Sequence, residues 1–251
     1  MSLLFSDASL LQLGGVIGFI ETFFMSSISG KIIVVMLLLG SIWAWTLMVM
    51  KGMELANANR ISELFLMEFR ELTTPLALYD DDRLPLEGSP LREIYHKTCL
   101  AVVTSHAMTD GKSELEASAG QQHFVLPEHH MNAVRSAAEN SVAAQAIKLE
   151  KDMVFLATAA SAAPFLGLLG TVMGIMQSFG SMANSGPALL SDVAPGIAAA
   201  LLTTVVGLLV ALPSSIGYNV LSDKVRRLTV TMDSFAQELV ADIERIYVKK
   251  S

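Results

Sequence analysis

The chain has 251 residues, 52% of them hydrophobic and only 16% charged, with a formal net charge of −7 at pH 7. Its mean hydropathy of +0.51 is high for a soluble globular protein and points to a membrane protein. No basic block suggests a nucleic-acid partner, and the single cysteine, Cys99, excludes an internal disulfide framework and fits a reducing compartment.

Taken in chain order, residues 1–29 form an N-terminal segment whose stretch 10–28 is apolar but carries Glu21 and two early glycines. It reads as an amphipathic helix at the membrane surface, with a fourth span as the alternative. No Lys or Arg precedes Lys31, so the segment lacks the basic start of a signal peptide. The first span is assigned to 30–52. Its 19-residue uncharged run, Ile32 to Met50, lies between Lys31 and Lys51. At about 1.5 Å per residue such a run covers about 28 Å, against a hydrocarbon core of about 30 Å.

Residues 53–152 are expected to form a helical domain outside the bilayer. Segment 51–74 has no Gly or Pro after Gly52 and should prolong the first span, with Leu55, Ile61, Leu64, Phe65, Met67 and Leu72 partly periodic. Pro75, Pro85 and Pro90 frame a loop, a short helix follows around 91–108, and 109–127 reads as another loop. A helix starting near Glu128 has no breaker before the second span and is expected to run straight into it. The second span is placed at 153–180, a loop rich in turn residues at 181–191, and the third span at 192–220. In the C-terminal helix, 221–251, Val225, Leu228, Met232, Phe235, Leu239, Ile243 and Ile246 make a one-sided stripe. The predicted fold is an all-α membrane protein: three transmembrane helices, long cytoplasmic helical extensions and an amphipathic helix on the periplasmic side. Sixteen of the 17 Lys and Arg residues fall in 51–152 and 223–251, so the positive-inside rule puts those segments in the cytoplasm and the N-terminus outside.

The second and third spans carry small residues at four-residue spacing. Ala163 and Gly167 form one pair and Gly170 and Gly174 another; Gly196, Ala200 and Thr204 form a row, as do Thr203, Gly207 and Ala211. Such rows let helix backbones approach closely, within one chain or between subunits. Pro195 follows Ser191 and Asp192 closely enough to sit in the first turn of a helix capped there. Pro164 and Pro213 lie inside their spans, where each removes a backbone hydrogen bond. They mark a plain kink or a helix facing a hydrated path. Hydroxyls recur at Thr158, Ser161, Thr171 and Ser178, and at Thr203, Thr204, Ser214 and Ser215. A threonine in a membrane helix ordinarily bonds its own helix or a neighbouring one. Thr171 and Thr204 differ by their neighbours: Thr171 lies inside the glycine row and Thr204 extends the Gly196–Ala200 row, so that both hydroxyls enter one crevice if those rows face each other. The five histidines show no metal-ligand spacing, and no metal site is expected. HExxH, GxSxG and Walker A patterns are absent, so no enzyme reading has support.

The stretch "AAPFLGLLGTVMGIMQSF" followed by "VAPGIAAALLTTVVGLLVALPSSIGYN" resembles the MotA/TolQ/ExbB ion-channel family, on its TolQ/ExbB side. The specific likeness covers about 155–220. It implies a multi-pass subunit of a bacterial inner membrane, pentameric, ringed around a single-span TolR/ExbD-like partner, with a TolA/TonB-like protein as a further partner. Ion flow would move the partner and energise an outer-membrane process. The expected partners also include membrane lipid, but no nucleic acid. No cofactor is expected beyond the transported Na⁺ or H⁺. The threonines of the family pattern map to Thr171 and Thr204, as lining of the ion pathway, with Thr203 beside them. One departure stands out: relatives carry a glutamate in "PGIAEALL", where this chain has Ala199. No carboxylate remains between Asp192 and Asp223. Sodium-driven members of the family also lack that glutamate, so Na⁺ coupling is one expectation. H⁺ carried by a carboxylate of the partner is the other. A non-conducting membrane scaffold is the alternative in a different class, and an independent solute channel is a third.

Overall fold

The computed structural model describes residues 23, 28–71, 74–79, 88–110, 126–185 and 190–248. The amphipathic helix expected within 1–29 lies almost wholly outside them. Five α-helices account for nearly all described residues: α1 Ile28–Glu71, α2 Pro90–Asp110, α3 Met131–Glu150, α4 Met153–Ser185 and α5 Leu190–Tyr247. A 3₁₀ turn, Glu128–His130, precedes α3. Among the described residues there is no strand, only an isolated bridge between Leu126 and Val248, whose neighbouring Tyr247 carbonyl accepts from the Leu126 N–H at 2.7 Å.

Among the described residues, three helices are long and apolar enough to cross a membrane: α1, α4 and α5. At about 1.5 Å per residue, the 44 residues of α1 and the 58 of α5 are each far longer than a bilayer core of about 30 Å. The chain divides into two compact units: residues 1–49 with 152–220, and residues 50–151 with 221–251.

In the first unit, Ile33, Val34 and Leu37 of α1 meet Ala163 of α4 and Val206, Val210 and Ala211 of α5. Many of the large apolar side chains point outward: Trp43, Phe165, Leu169, Val172, Leu209 and Ile216 are all exposed. That is the distribution expected where the solvent is lipid and burial of apolar side chains brings no hydrophobic gain.

The second unit has a core of large side chains. Leu55, Ala58, Ser62, Phe65 and Phe69 form the inward face of α1 at alternating three- and four-residue steps. Leu221, Val225, Leu228, Met232, Phe235, Leu239 and Ile243 do the same on α5. Phe65, Phe69, Tyr95 and Phe235 stack edge to face or in parallel, with centroids 5.2–6.4 Å apart. Arg70 pairs with Glu238 at 3.2 Å and Arg135 with Glu244 at 3.6 Å, both exposed pairs. Helix α2 starts at Pro90 with Ser89 as its cap; the Ser89 hydroxyl accepts from the Arg92 N–H at 3.4 Å.

Several expectations change. The helix from Glu128 does not run unbroken into the second span: α3 ends at Glu150, and Asp152 takes a left-handed conformation with φ +70° before α4 begins. Aspartate tolerates that region better than most side chains, so neither Gly nor Pro was needed to stop the helix. Helix α4 continues to Ser185 and α5 is described from Leu190; the turn-rich stretch between them, 186–189, lies outside the described residues. Because α5 starts at Leu190, Pro195 sits in its second turn rather than its first. Leu64, Met67 and Ile246 are exposed rather than inward. At the end of α5 the inward position passes to Tyr247, next to the bridge to Leu126.

Candidate functional site

The small-residue rows of α4 and α5 meet each other within one chain. A Cβ on Gly167 would lie 2.9 Å from the Thr203 carbonyl oxygen and 3.0 Å from the Thr204 Cα. One on Gly207 would lie 2.6 Å from the Ala163 carbonyl oxygen. Backbone cannot yield as a flexible side chain can, so these two positions require glycine for the observed approach. Gly170 lies under the Thr203 side chain, Gly174 against Ala200, and Gly196 against Ser178. The rows therefore report an intrachain seam.

That seam brings Thr171, Thr203 and Thr204 into one hydrogen-bonded cluster. Thr171 Oγ1 lies 3.2 Å from the carbonyl oxygen of Gly167, one turn back on its own helix, and 3.1 Å from that of Ala200 on α5. Thr203 Oγ1 lies 2.9 Å from the Gly167 oxygen and 2.7 Å from the Ala200 oxygen. Thr204 Oγ1 reaches the Gly167 oxygen at 3.2 Å. The Thr171 hydroxyl is also within 3.3 Å of the Thr203 hydroxyl and 2.5 Å of the Thr204 hydroxyl.

Access separates the three. Thr203 has 0% relative exposure and Thr171 8%, whereas Thr204 is half-buried at the edge of the seam. Ala199, one turn before Thr203, is 1% exposed. The expected lining residues are thus close together, but in the protomer only Thr204 among them reaches the surface. Oxygens spaced 2.5–3.3 Å apart have protons between them. A hard cation held at about 2.3–2.6 Å from each ligand would need them spread wider. The cluster is a hydrogen-bonded knot with one outward face, not a cage.

Pro164 and Pro213 lie inside α4 and α5 and are half-buried. The nearby hydroxyls do not take up the carbonyls these prolines release. Ser161 donates to Ala157 or Thr158, and Ser214 to Val210. At the other end of the same unit, Gln177 donates to Ser29 at 3.1 Å and Ser178 to Gly174 at 2.9 Å.

Sequence reasoning missed the two backbone carbonyls, Gly167 and Ala200, that organise the threonines. It also missed Lys51, which ends an uncharged run but is buried, with its ammonium 2.9 Å from Glu54. In the second unit, burial pushes the Cys99 thiol up to about 12 and raises Tyr95 and Tyr247 as well. Among the described residues, no group of three His, Cys, Asp or Glu side chains could hold a metal.

A sequence model described as the MotA/TolQ/ExbB proton channel family matches residues 108–234. The Tol-Pal system protein TolQ of Pseudomonas aeruginosa is 42% identical over 125 residues, covering 50% of this chain and 54% of that protein. TolQ of Haemophilus influenzae is 27% identical over 236 residues, 91% of this chain and 95% of its own. The biopolymer transport protein ExbB of Pseudomonas putida is 34% identical over 191 residues, 76% and 52% respectively. The chain thus spans about half the length of two of these relatives and nearly all of the third.

Proposed function

Because the chain belongs to the MotA/TolQ/ExbB proton channel family, we propose that it is the channel-forming ring subunit of a cation-driven motor in a bacterial inner membrane. Copies of the chain, five in the reading taken from the resemblance, surround a single-span TolR/ExbD-like partner. Cation flow along the boundary moves that partner, which energises a process at the outer membrane, with a TolA/TonB-like protein as a further link.

One observation carries this reading. A spanning seam without any ionisable side chain holds three threonine hydroxyls, and one of them, Thr204, opens to the protomer surface. Leaving polar groups in a lipid-embedded helix pair is costly unless they are bonded or used. All three hydroxyls are bonded within the seam, and Thr204 is the one that also reaches the protomer surface. With no carboxylate between Asp192 and Asp223 and none in the second span, a proton has no titratable stop along the seam. The cation is therefore either Na⁺, passed among neutral oxygens, or H⁺ riding on a carboxyl supplied by the partner.

The test is ion flux in proteoliposomes holding the full chain with its co-purifying partners. Thr204→Val together with Thr171→Val keeps shape and removes both hydroxyls. Flux is expected to fall to background while the complex still forms. Replacing Na⁺ with K⁺ at a fixed pH gradient separates the two cations.

A non-conducting scaffold is the second reading, favoured by the burial of Thr171, Thr203 and Ala199 in dry packing. It predicts that the double variant leaves envelope output intact.

A further inference from the structure

We propose that Thr203 is the positioning residue of the seam: its hydroxyl occupies one of the backbone carbonyls between α4 and α5, and so leaves Thr204 able to present either a proton or its lone pairs outward. This rests on the reading of Thr204 as the group facing the cation pathway.

Three hydroxyls supply three protons. The carbonyls of Gly167 and Ala200 each keep one lone pair beyond the bond of the helix ladder, and the hydroxyl oxygens can also accept. In one arrangement Thr203 donates to Gly167, at 2.9 Å, Thr171 donates to Ala200, at 3.1 Å, and Thr204 donates to Thr171. Both lone pairs of Thr204 then point outward, suited to a cation or to a protonated carboxyl. In the other arrangement Thr203 stays on a carbonyl and Thr171 donates to Thr204. The proton of Thr204 is then free to face a carboxylate. Only rotations about three C–O bonds separate the two, no proton leaves the chain, and every buried hydroxyl stays bonded.

Thr203 is common to both arrangements and meets no solvent at 0% exposure. Its side chain lies directly over Gly170, where any Cβ would come within 2.6 Å of its Oγ1. Without its hydroxyl, the Gly167 oxygen loses its 2.9 Å donor and stands 3.2 Å from both Thr171 and Thr204, where it competes for their protons with the bond between those two hydroxyls. With two protons left for two vacant carbonyls, both hydroxyls donate inward, and the arrangement that turns the Thr204 proton outward is lost.

The experiment uses the proteoliposome flux assay above, normalised to folded complex. Thr203→Val keeps the shape and removes the hydroxyl; Thr203→Ser keeps the hydroxyl and removes a methyl. Loss of one such bond predicts a flux at least about fivefold lower for Thr203→Val, with Thr203→Ser within about twofold of the parent. The reverse order, a normal Val variant and an impaired Ser variant, would assign Thr203 to packing alone and overturn the proposal. Should Thr203→Val fail to insert, Thr203→Ala against Thr203→Ser isolates the same hydroxyl, and equal flux from those two also overturns it. Thr204→Val, run alongside, separates the two ideas. If it leaves flux unchanged, the pathway reading itself fails. If it stops flux while Thr203→Val does not, only the positioning role fails.

Discussion

The two units solve the same problem, packing long helices against one another, with opposite materials. In the first, glycines bring two backbones together and three threonine hydroxyls bond across the gap. In the second, four aromatic rings fill the space between helices, and buried Ser62 and Ser141 hydroxyls have no hydrogen-bond partner among the described residues. The difference follows from the surroundings. Lipid gives no reward for hiding a phenylalanine, so close approach and hydrogen bonding must hold the spans together. Water rewards it at about 25 cal/mol per Å² of apolar area, enough for a core to carry two unpaired hydroxyls at about 1–3 kcal/mol each.

The largest expected effect strikes the aromatic side of this comparison. Phe235, 1% exposed, touches both Phe65 and Phe69, so Phe235→Ala should cost about 3–5 kcal/mol. Hydrogen exchange should register the loss at amides of α2 and α3 while the α4–α5 seam keeps its protection. Equal loss in both units would mean that they do not differ as described.

Gly207→Ala is the matching change on the other side. Its Cβ meets a backbone oxygen, and overpacking of that kind costs about 1–3 kcal/mol. Thermal unfolding in detergent should show a lower Tm, and protection should fall first at α4 and α5. An unchanged Tm would remove the argument that backbone approach holds the seam.

The smallest effect is one of pH. Burial raises the Cys99 thiol from 9.0 to about 12, and raises Tyr95 too, so the folded second unit holds these protons more tightly than the unfolded chain. Their stabilisation is complete below about pH 9 and is lost as pH rises toward 12. Alkaline titration followed by near-UV circular dichroism should loosen this unit, with a shallower slope in Cys99→Ala. An identical slope would contradict the assignment.

Much of this was legible in the sequence, because hydropathy and breaker residues report directly on long helices. The three spans follow from long uncharged apolar runs, and the stripe on α5 from periodicity. What was not legible is instructive. Asp152 stops a helix without Gly or Pro, through a backbone conformation no composition signals. Phe69 and Ser62 are inward because α1 follows a strict alternation of three- and four-residue steps, which Leu64 and Met67 obscured. At the site, spacing put Thr171 and Thr204 in small-residue rows, but it assigned Thr203 to a different face. Only the close approach at Gly167 and Gly170 lets adjacent residues 203 and 204 both reach α4, one sealed and one at the rim.

The account turns on that difference between neighbours, and thiol accessibility in native membranes reads it directly. Cys99 is buried and its thiol is pushed up to about 12, so the parent chain should give no background with a charged, membrane-impermeant methanethiosulfonate reagent. Thr204→Cys should then be modified readily, and Thr203→Cys and Ala199→Cys should resist. Equal modification at 203 and 204, or none at 204 in the assembled complex, would contradict a single outward hydroxyl on a wetted path.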